Sequence, residues 1–333
     1  MTVLVTGGAG YIGSHMVLEL VGSNERVVVL DWRSPTCAQR VVSPLTTYVV
    51  GDVGNQELVG TIIVENQIDA IIHFAGSTVV RESVSDPLSY YENNTVKTGK
   101  LIKSAVDGRV AHFVFSSTAA VYGATGPEPV TEDSPLNPQS PYGRSKLMSE
   151  WMLYDAAAAH GLTYAVLRYF NVAGADPEGR AGPSMREATH LIKVACETAM
   201  GKRPFMNIYG DDYPTNDGTC VRDYIHVSDL VEAHRLALDR LRKGGESITA
   251  NCGYGRGYSV LEVLNAVRQA HGAHFDARVS ARRIGDISAI VANTERVRRE
   301  LGWRPKRDDL NFIVADALAW EKTLTSGRNP NLG

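Results

Sequence analysis

Cysteine is scarce, with four in 333 residues at positions 37, 196, 220 and 252. They lie too far apart for a C-x-x-C metal pair and are too few for a disulfide scaffold of this size, so no metal site and a reducing, cytoplasmic setting are expected. No apolar run reaches the roughly 18–20 residues that a membrane helix needs, and the N-terminus runs directly into a strand-like segment without a charged and then apolar leader. An untargeted chain with no membrane partner is expected. Excess positive charge is also missing: 34 Lys and Arg stand against 37 Asp and Glu, a formal charge of −3, which leaves no field to hold a nucleic-acid backbone. Repeats and low-complexity tracts are absent as well. What is present, 44% hydrophobic and 21% charged residues, is a globular composition long enough for one large domain or two closely joined ones.

The first half alternates short β-branched runs with longer stretches whose apolar residues recur at helical spacing. The runs are 3–6, 26–30, 48–50, 70–74, 112–116 and 165–169; the helical stretches are 11–22, 55–66, 86–106 and 141–160, and 32–47 reads as a loop. Nearly continuous apolar strands are those covered by helices on both faces. The fold class is therefore α/β, a doubly wound parallel sheet of the Rossmann type, over residues 1–172. From 173 to 333 the alternation stops and a smaller α/β lobe is expected, its chain partly interleaved with the first. It carries helices near 185–200, 228–243, 259–271 and 308–325 and strands near 206–209, 225–227, 247–251 and 275–279.

Gly7, Gly10 and Gly13 space a G-x-x-G-x-x-G turn between the first strand and an amphipathic helix. Such glycines permit a tight turn and bring a pyrophosphate to the amides of a helix N-terminus. Eighteen residues past Gly13, Asp31 ends the second strand, where a carboxylate accepts ribose hydroxyls and repels a 2′-phosphate. NAD is therefore expected over NADP, although Arg33 stands two positions on. Asp52 follows the third strand and either caps the next helix or accepts from the adenine amino group; Val53 adjoins it, and Phe74-Ala75-Gly76 close the fourth strand.

Tyr142 and Lys146 form Y-x-x-x-K at a helix start, so the i, i+4 spacing sets phenol and ammonium on one face. A lysine beside a tyrosine favours phenolate, which suits a proton-transfer pair. Thr118, in Ser116-Ser117-Thr118 at the end of the fifth strand, brings a hydroxyl to the same edge.

These motifs, in this order, resemble extended short-chain dehydrogenases/reductases. Ser83 to Asn94, Leu167 to Asn171 and Tyr213 to Val227 carry the likeness further, to the UDP-glucose 4-epimerases, over essentially the whole chain. The resemblance implies an isomerase that oxidises C4 of a UDP-hexose to a 4-keto sugar with NAD and returns the hydride to the opposite face. It implies that Tyr142 moves the 4-hydroxyl proton, that Lys146 supports it, and that Thr118 holds the 4-oxygen. By the same likeness Tyr11, Ile12, Asp31, Asp52, Val53, Phe74, Ala75, Gly76, Asn93 and Phe170 line the cofactor. Asn171, Tyr209, Arg222, Arg283 and Asp286 grip the UDP, and a homodimer forms through the helices 86–106 and 141–160. Some positions depart from the pattern. Thr78 replaces a lysine, Trp32 a polar residue, Ser288 a proline, and His190 an asparagine that touches the pyrophosphate. Ile290 occupies a position whose size gates the sugar pocket, so UDP-N-acetylhexosamines and UDP-pentoses remain alternative substrates. Ala119 and Ala120 stand where related dehydratases need carboxylates, which argues against elimination, and the retained Tyr142, Lys146 and Thr118 argue against a non-catalytic NAD sensor.

Overall fold

The computed structural model describes residues 1–34, 41, 43–124, 128–184, 189–283 and 286–326. Its first strands and helices alternate: β1 (Thr2–Thr6), α1 (Tyr11–Gly22), β2 (Arg26–Asp31), β3 (Thr46–Val50), α2 (Gln56–Asn66) and β4 (Ile68–His73). After β4 come the short helices α3 (Val80–Ser85) and α4 (Pro87–Tyr90), a π-helical turn (Tyr91–Val96) and α5 (Lys97–Asp107). Next are β5 (His112–Thr118), a 3-10 turn over Ala119–Val121, α6 (Pro141–His160), β6 (Thr163–Tyr169) and β7 (Asn171–Ala173). The remainder holds α7 (Leu191–Ala199), β8 (Met206–Tyr209), β9 (Val221–His226), α8 (Val227–Arg242), β10 (Ile248–Cys252), β11 (Gly257–Ser259), α9 (Val260–His271), β12 (Ala277–Ser280), β13 (Ala289–Ile290), α10 (Glu295–Leu301) and α11 (Leu310–Ser326).

Seven parallel strands form the large sheet in the order β10-β6-β5-β4-β1-β2-β3. Their alternate residues feed two helical layers. Leu4, Val28, Ile71 and Phe113 pack with Val59 and Ile62 of α2, Leu101 of α5 and Leu153 of α6, whereas Val3, Val5, Val29 and Ile72 pack with Met16 and Leu20 of α1 and Leu230 and Leu238 of α8. Each such side chain, fully buried, stabilises the fold by about 1.5–3 kcal/mol before entropy is counted. The strand order reverses between β1 and β4, which opens a crevice at their carboxyl ends, where ligands of open sheets bind.

Several elements differ from the sequence reading. The stretch expected as a helix at 86–106 is a continuous helical run, Pro87–Asp107, capped by Asp86, but its middle is wound as a π-helical turn between α4 and α5. The strand expected at 225–227 begins at Val221, and Val227 already starts α8. Residues 185–188 of the helix expected at 185–200 lie outside the described residues, as does Cys37. α8 and β10, read in chain order as parts of the second lobe, return to the first: β10 pairs with β6, and α8 packs on α1. Hydrophobic periodicity reports that a strand exists, not which sheet it joins.

The smaller lobe combines β9 with β7, β11 and β13, and β8 with β12, under α7, α9 and α11. Among the described residues no helix is long and apolar enough to cross a membrane, and no group of three or more His, Cys, Asp or Glu side chains could hold a metal.

Candidate active site

The glycine turn is built with no spare volume. Gly7 has φ +73°, donates its N–H to Leu30 O at 2.9 Å, and accepts from Gly10 N at 3.0 Å. A Cβ on Gly7 would stand 2.6 Å from Ala75 N, and one on Gly13 would stand 2.1 Å from Gly7 O. The β1 and β4 loops therefore touch through backbone alone. Gly10 caps α1 in an extended conformation without a side-chain hydrogen bond, so the first-turn amides at Tyr11, Ile12 and Gly13 face the crevice with the positive end of the helix. This cradle, which added carbon would fill, fits a dinucleotide pyrophosphate.

Asp31 is buried at the end of β2, where its Oδ2 accepts from Ala9 N at 3.1 Å and its Oδ1 from Arg33 N at 3.1 Å. An ionised carboxylate has about four lone-pair sites, so acceptor capacity remains for ribose hydroxyls. Asp52 does not cap α2. Asn55 does, accepting from Leu58 N at 3.1 Å, while Asp52 accepts from Gly54 N at 2.8 Å and pairs with Lys97 Nζ at 2.6 Å. Val53 is buried beside Leu30, and Phe74 lies 4.9 Å from the His234 ring. Gly76 gives its side-chain space to Asn94, whose Oδ1 would stand 2.9 Å from an added Cβ.

Asn93 donates to Ser77 Oγ at 2.9 Å. Asn94 both accepts from Ser77 N at 2.7 Å and donates to Ser77 O at 2.9 Å, so the π-helical turn pins the β4 loop. Asn94 also reaches Ser145 Oγ in α6 at 3.1 Å.

Thr118 ends β5 and accepts from Ala120 N at 3.2 Å. Ser140, accepting from Gly143 N at 3.1 Å, and Pro141 at the first helical position start α6, which brings Tyr142 onto the Thr118 edge. The Tyr142 phenol lies beside the Thr118 hydroxyl. Burial pushes the Tyr142 phenol well above its usual 10, with Thr118 opposing the rise. One turn on, Lys146 is buried with its ammonium 4.3 Å from the centre of the Phe115 ring; burial lowers it to about 7, and Glu150 works against that. Burial thus disfavours the phenolate, against the expectation drawn from the neighbouring lysine. His73 is satisfied by Thr6 Oγ1 at 2.6 Å and Thr98 Oγ1 at 2.9 Å.

The second lobe contributes charge. Arg222 Nη1 donates to Val221 O at 2.9 Å, and its Nη2 lies 4.0 Å from Asp286. The Arg283 guanidinium stacks 3.8 Å from the centre of the Tyr209 ring, and its hydrogen bond holds that phenol below its ordinary range. Ile290 pairs in register with Arg222 through β13 and β9. Its buried side chain belongs to an apolar cluster with Ala119, Leu147 and Phe170.

Tyr11, Asn171 and His190 line one small cleft, and the Tyr11 hydroxyl donates to Gly174 O at 2.7 Å. The structure therefore brings the glycine turn, the start of β7 and the start of α7 together. Arg222, Arg283, Asp286 and Tyr209 gather separately on β8, β9 and the segment before β13. Glu150, Arg168 and Asn94 were missed by sequence reasoning; Glu150 at i+4 from Lys146 was the available signal.

The profile of the NAD dependent epimerase/dehydratase family matches residues 3–253. A UDP-glucose 4-epimerase of Azospirillum brasilense is 52% identical over 323 residues, covering 97% of this chain and 92% of that protein. The crystal structure of UDP-glucose 4-epimerase from Bifidobacterium longum in complex with NAD+ and UDP superposes with a TM-score of 0.92 at 38% identity, covering 99% of both chains. That of the UDP-Glc/GlcNAc 4-epimerase from Campylobacter jejuni gives 0.82 at 44% identity, covering 97% of this chain and 99% of the other.

Proposed function

The chain belongs to the NAD dependent epimerase/dehydratase family, and from that premise we propose that it inverts C4 of a UDP-hexose, interconverting UDP-glucose and UDP-galactose. The observation that carries the reading is the placement of Tyr142 and Lys146 one turn apart at the start of α6, with Thr118 beside the phenol at the end of β5, in a sheet whose first turn is a backbone cradle fit for NAD. When bound, NAD accepts a hydride from C4 and gives it back, so it is not consumed.

Gly7, Gly10, Tyr11, Ile12 and Gly13 hold the pyrophosphate side of that cofactor, and Asp31 holds the adenosine ribose. Asp52, Val53, Phe74, Ala75, Gly76, Asn93 and Phe170 complete the lining. Tyr142 takes the proton of the 4-hydroxyl as C4 is oxidised, Thr118 holds the 4-oxygen, and the Lys146 ammonium stabilises the phenolate that burial alone disfavours. The resulting 4-keto sugar must turn over to be reduced on its other face. Arg222 and Arg283 keep the diphosphate anchored during that turn through charge-assisted hydrogen bonds, and Asn171, His190, Tyr209 and Asp286 complete the grip.

In this reading residues 1–172 bind the cofactor and 173–333 the UDP-sugar, with α8 and β10 crossing back. A homodimer through α4, α5 and α6 is supported by exposed Leu88, Val96, Met148 and Trp151 on those helices and the intervening π-helical turn. The buried thiols of Cys196, Cys220 and Cys252, all free, support a cytoplasmic setting.

A second reading, a UDP-N-acetylhexosamine as substrate, is favoured by Ile290, an aliphatic side chain that offers the sugar no hydroxyl, and a UDP-pentose would use the same proton-transfer groups. Turnover of UDP-galactose, UDP-N-acetylgalactosamine and a UDP-pentose, measured side by side, separates the readings. Tyr142→Phe is expected to keep NAD and UDP binding while losing about three powers of ten in turnover; a near-normal rate would remove Tyr142 as the base.

A further inference from the structure

Glu150 lies in α6 one turn beyond Lys146 and two beyond Tyr142, with its side chain wholly out of solvent. Its carboxylate joins three elements. Oε1 accepts from Ser117 Oγ in β5 at 2.5 Å and from Arg168 Nε in β6 at 3.1 Å; Oε2 accepts from Arg168 Nη2 at 2.7 Å and from the Tyr154 hydroxyl at 3.1 Å. Ser117 is the residue before Thr118, and in the β5–β6 register it stands directly opposite Arg168. Arg168 Nη1 then donates to the Tyr122 hydroxyl at 3.0 Å, just past the 3-10 turn.

An ion pair this deep is weak as a source of stability, because desolvation offsets most of the Coulombic gain. Its contribution is geometric. The hydroxyl at Thr118 and the phenol at Tyr142 sit on different elements, and the first side-chain clamp behind them is this carboxylate. We propose that Glu150 is a positioning residue for proton transfer, clamping the Thr118 strand end to the helix of Tyr142 and Lys146 and supplying the negative charge that faces Lys146.

This role for Glu150 rests on Tyr142 as the base and Lys146 as its support. The groups facing Lys146 are few. From β4 comes His73, which burial keeps neutral by lowering it to about 3; from β5 comes the Phe115 ring; from α6 come Tyr142, neutral, and Glu150. The π-helical turn packed against α6 adds uncharged Asn94 and Thr95. Glu150 is thus the counter-charge that offsets part of the desolvation of Lys146.

The test follows Lys146 directly, by carbon NMR of protein labelled with ¹³C at the lysine ε position, with the signal assigned by Lys146→Arg. Glu150→Gln should lower the Lys146 titration midpoint by about one pH unit and move the pH profile of kcat with it, while KM changes less than threefold. Ser117→Ala, which cuts the clamp and keeps the charge, should lower kcat about tenfold with the midpoint unmoved. A Lys146 midpoint and pH profile unchanged in Glu150→Gln would overturn the electrostatic role, and full kcat in Ser117→Ala would overturn the clamp. Should Glu150→Gln fail to fold, the double variant Glu150→Gln with Arg168→Gln, which buries no net charge there, should still lower the Lys146 midpoint, by less than the single variant because no unpaired guanidinium is left behind; an unchanged midpoint would overturn the electrostatic role. Failure of the underlying assignment looks different, since it appears as normal turnover in Tyr142→Phe whatever Lys146 does.

Discussion

The two ends of the crevice are built on opposite plans. At the end proposed for the cofactor the working groups are backbone amides and glycine Cα atoms of residues 7–13, closed against the β4 loop, with the Asp31 carboxylate held by backbone N–H groups. At the end proposed for the diphosphate they are long cationic side chains, Arg222 and Arg283, placed by β9 and the segment before β13 and balanced by Asp286 and the Tyr209 ring. Backbone walls allow no additional atom and are expected to fail abruptly. Guanidinium groups on flexible stems are expected to fail by degrees, since a neighbouring cation still holds part of the charge.

The sharpest way to break that contrast is a single methyl group. Gly13→Ala places a carbon 2.1 Å from Gly7 O and 2.7 Å from Gly8 Cα, both backbone atoms that cannot swing aside. Overpacking of this kind costs about 3 kcal/mol, and here it also spoils the pyrophosphate cradle. Purified Gly13→Ala is expected to lack nicotinamide after acid release and to unfold at lower urea; full cofactor content and an unchanged midpoint would mean that the turn is not the cradle.

Legibility from sequence followed the same division. The glycine turn, Asp31 and the Tyr142–Lys146 pair were readable because each is a local pattern: a strand-turn-helix, a strand end, an i, i+4 step. The π-helical turn was not, because the apolar spacing of 86–106 continues through it and its geometry is fixed by long-range bonds, Asn93 and Asn94 reaching back to Ser77 and Asn94 and Thr95 across to Ser145. Nor was the return of β10 to the edge of the large sheet, which depends on pairing with β6 some 80 residues earlier. The arginines of the diphosphate end were singled out by family likeness, since nothing in their spacing tells a ligand-binding guanidinium from a surface ion pair. Glu150 read as an ordinary helix residue; its burial becomes visible only once β6 supplies Arg168.

Arg222→Ala sharpens the comparison at the second end. It removes one of two charge-assisted anchors, leaving Arg283 on Tyr209. A loss of about 50-fold in kcat/KM is expected, carried mostly by KM, with NAD content unchanged. A fall in bound NAD equal to that of Gly13→Ala would show that the two ends are one unit and would dissolve the distinction. Independent ends predict instead that UDP protects Arg222→Ala against thermal unfolding less than it protects the parent, while added NAD protects both equally.

The smallest effect is expected where the two ends meet. Ile290 shares the register of Arg222 yet packs on Ala119, Leu147 and Phe170, so it belongs to the wall between the UDP grip and the proton-transfer set. Ile290→Tyr adds volume and a hydroxyl at a buried position. If the sugar pocket lies against this wall, the ring takes up space that an N-acetyl group would need and leaves a hexose hydroxyl room to hydrogen-bond. The ratio of UDP-N-acetylgalactosamine to UDP-galactose turnover should then fall by about tenfold, the discrimination of 1–3 kcal/mol that pocket shape alone provides. NAD content should be unaffected. An unchanged ratio would place the sugar away from β13, and selectivity would then have to come from the cleft of Tyr11, Asn171 and His190.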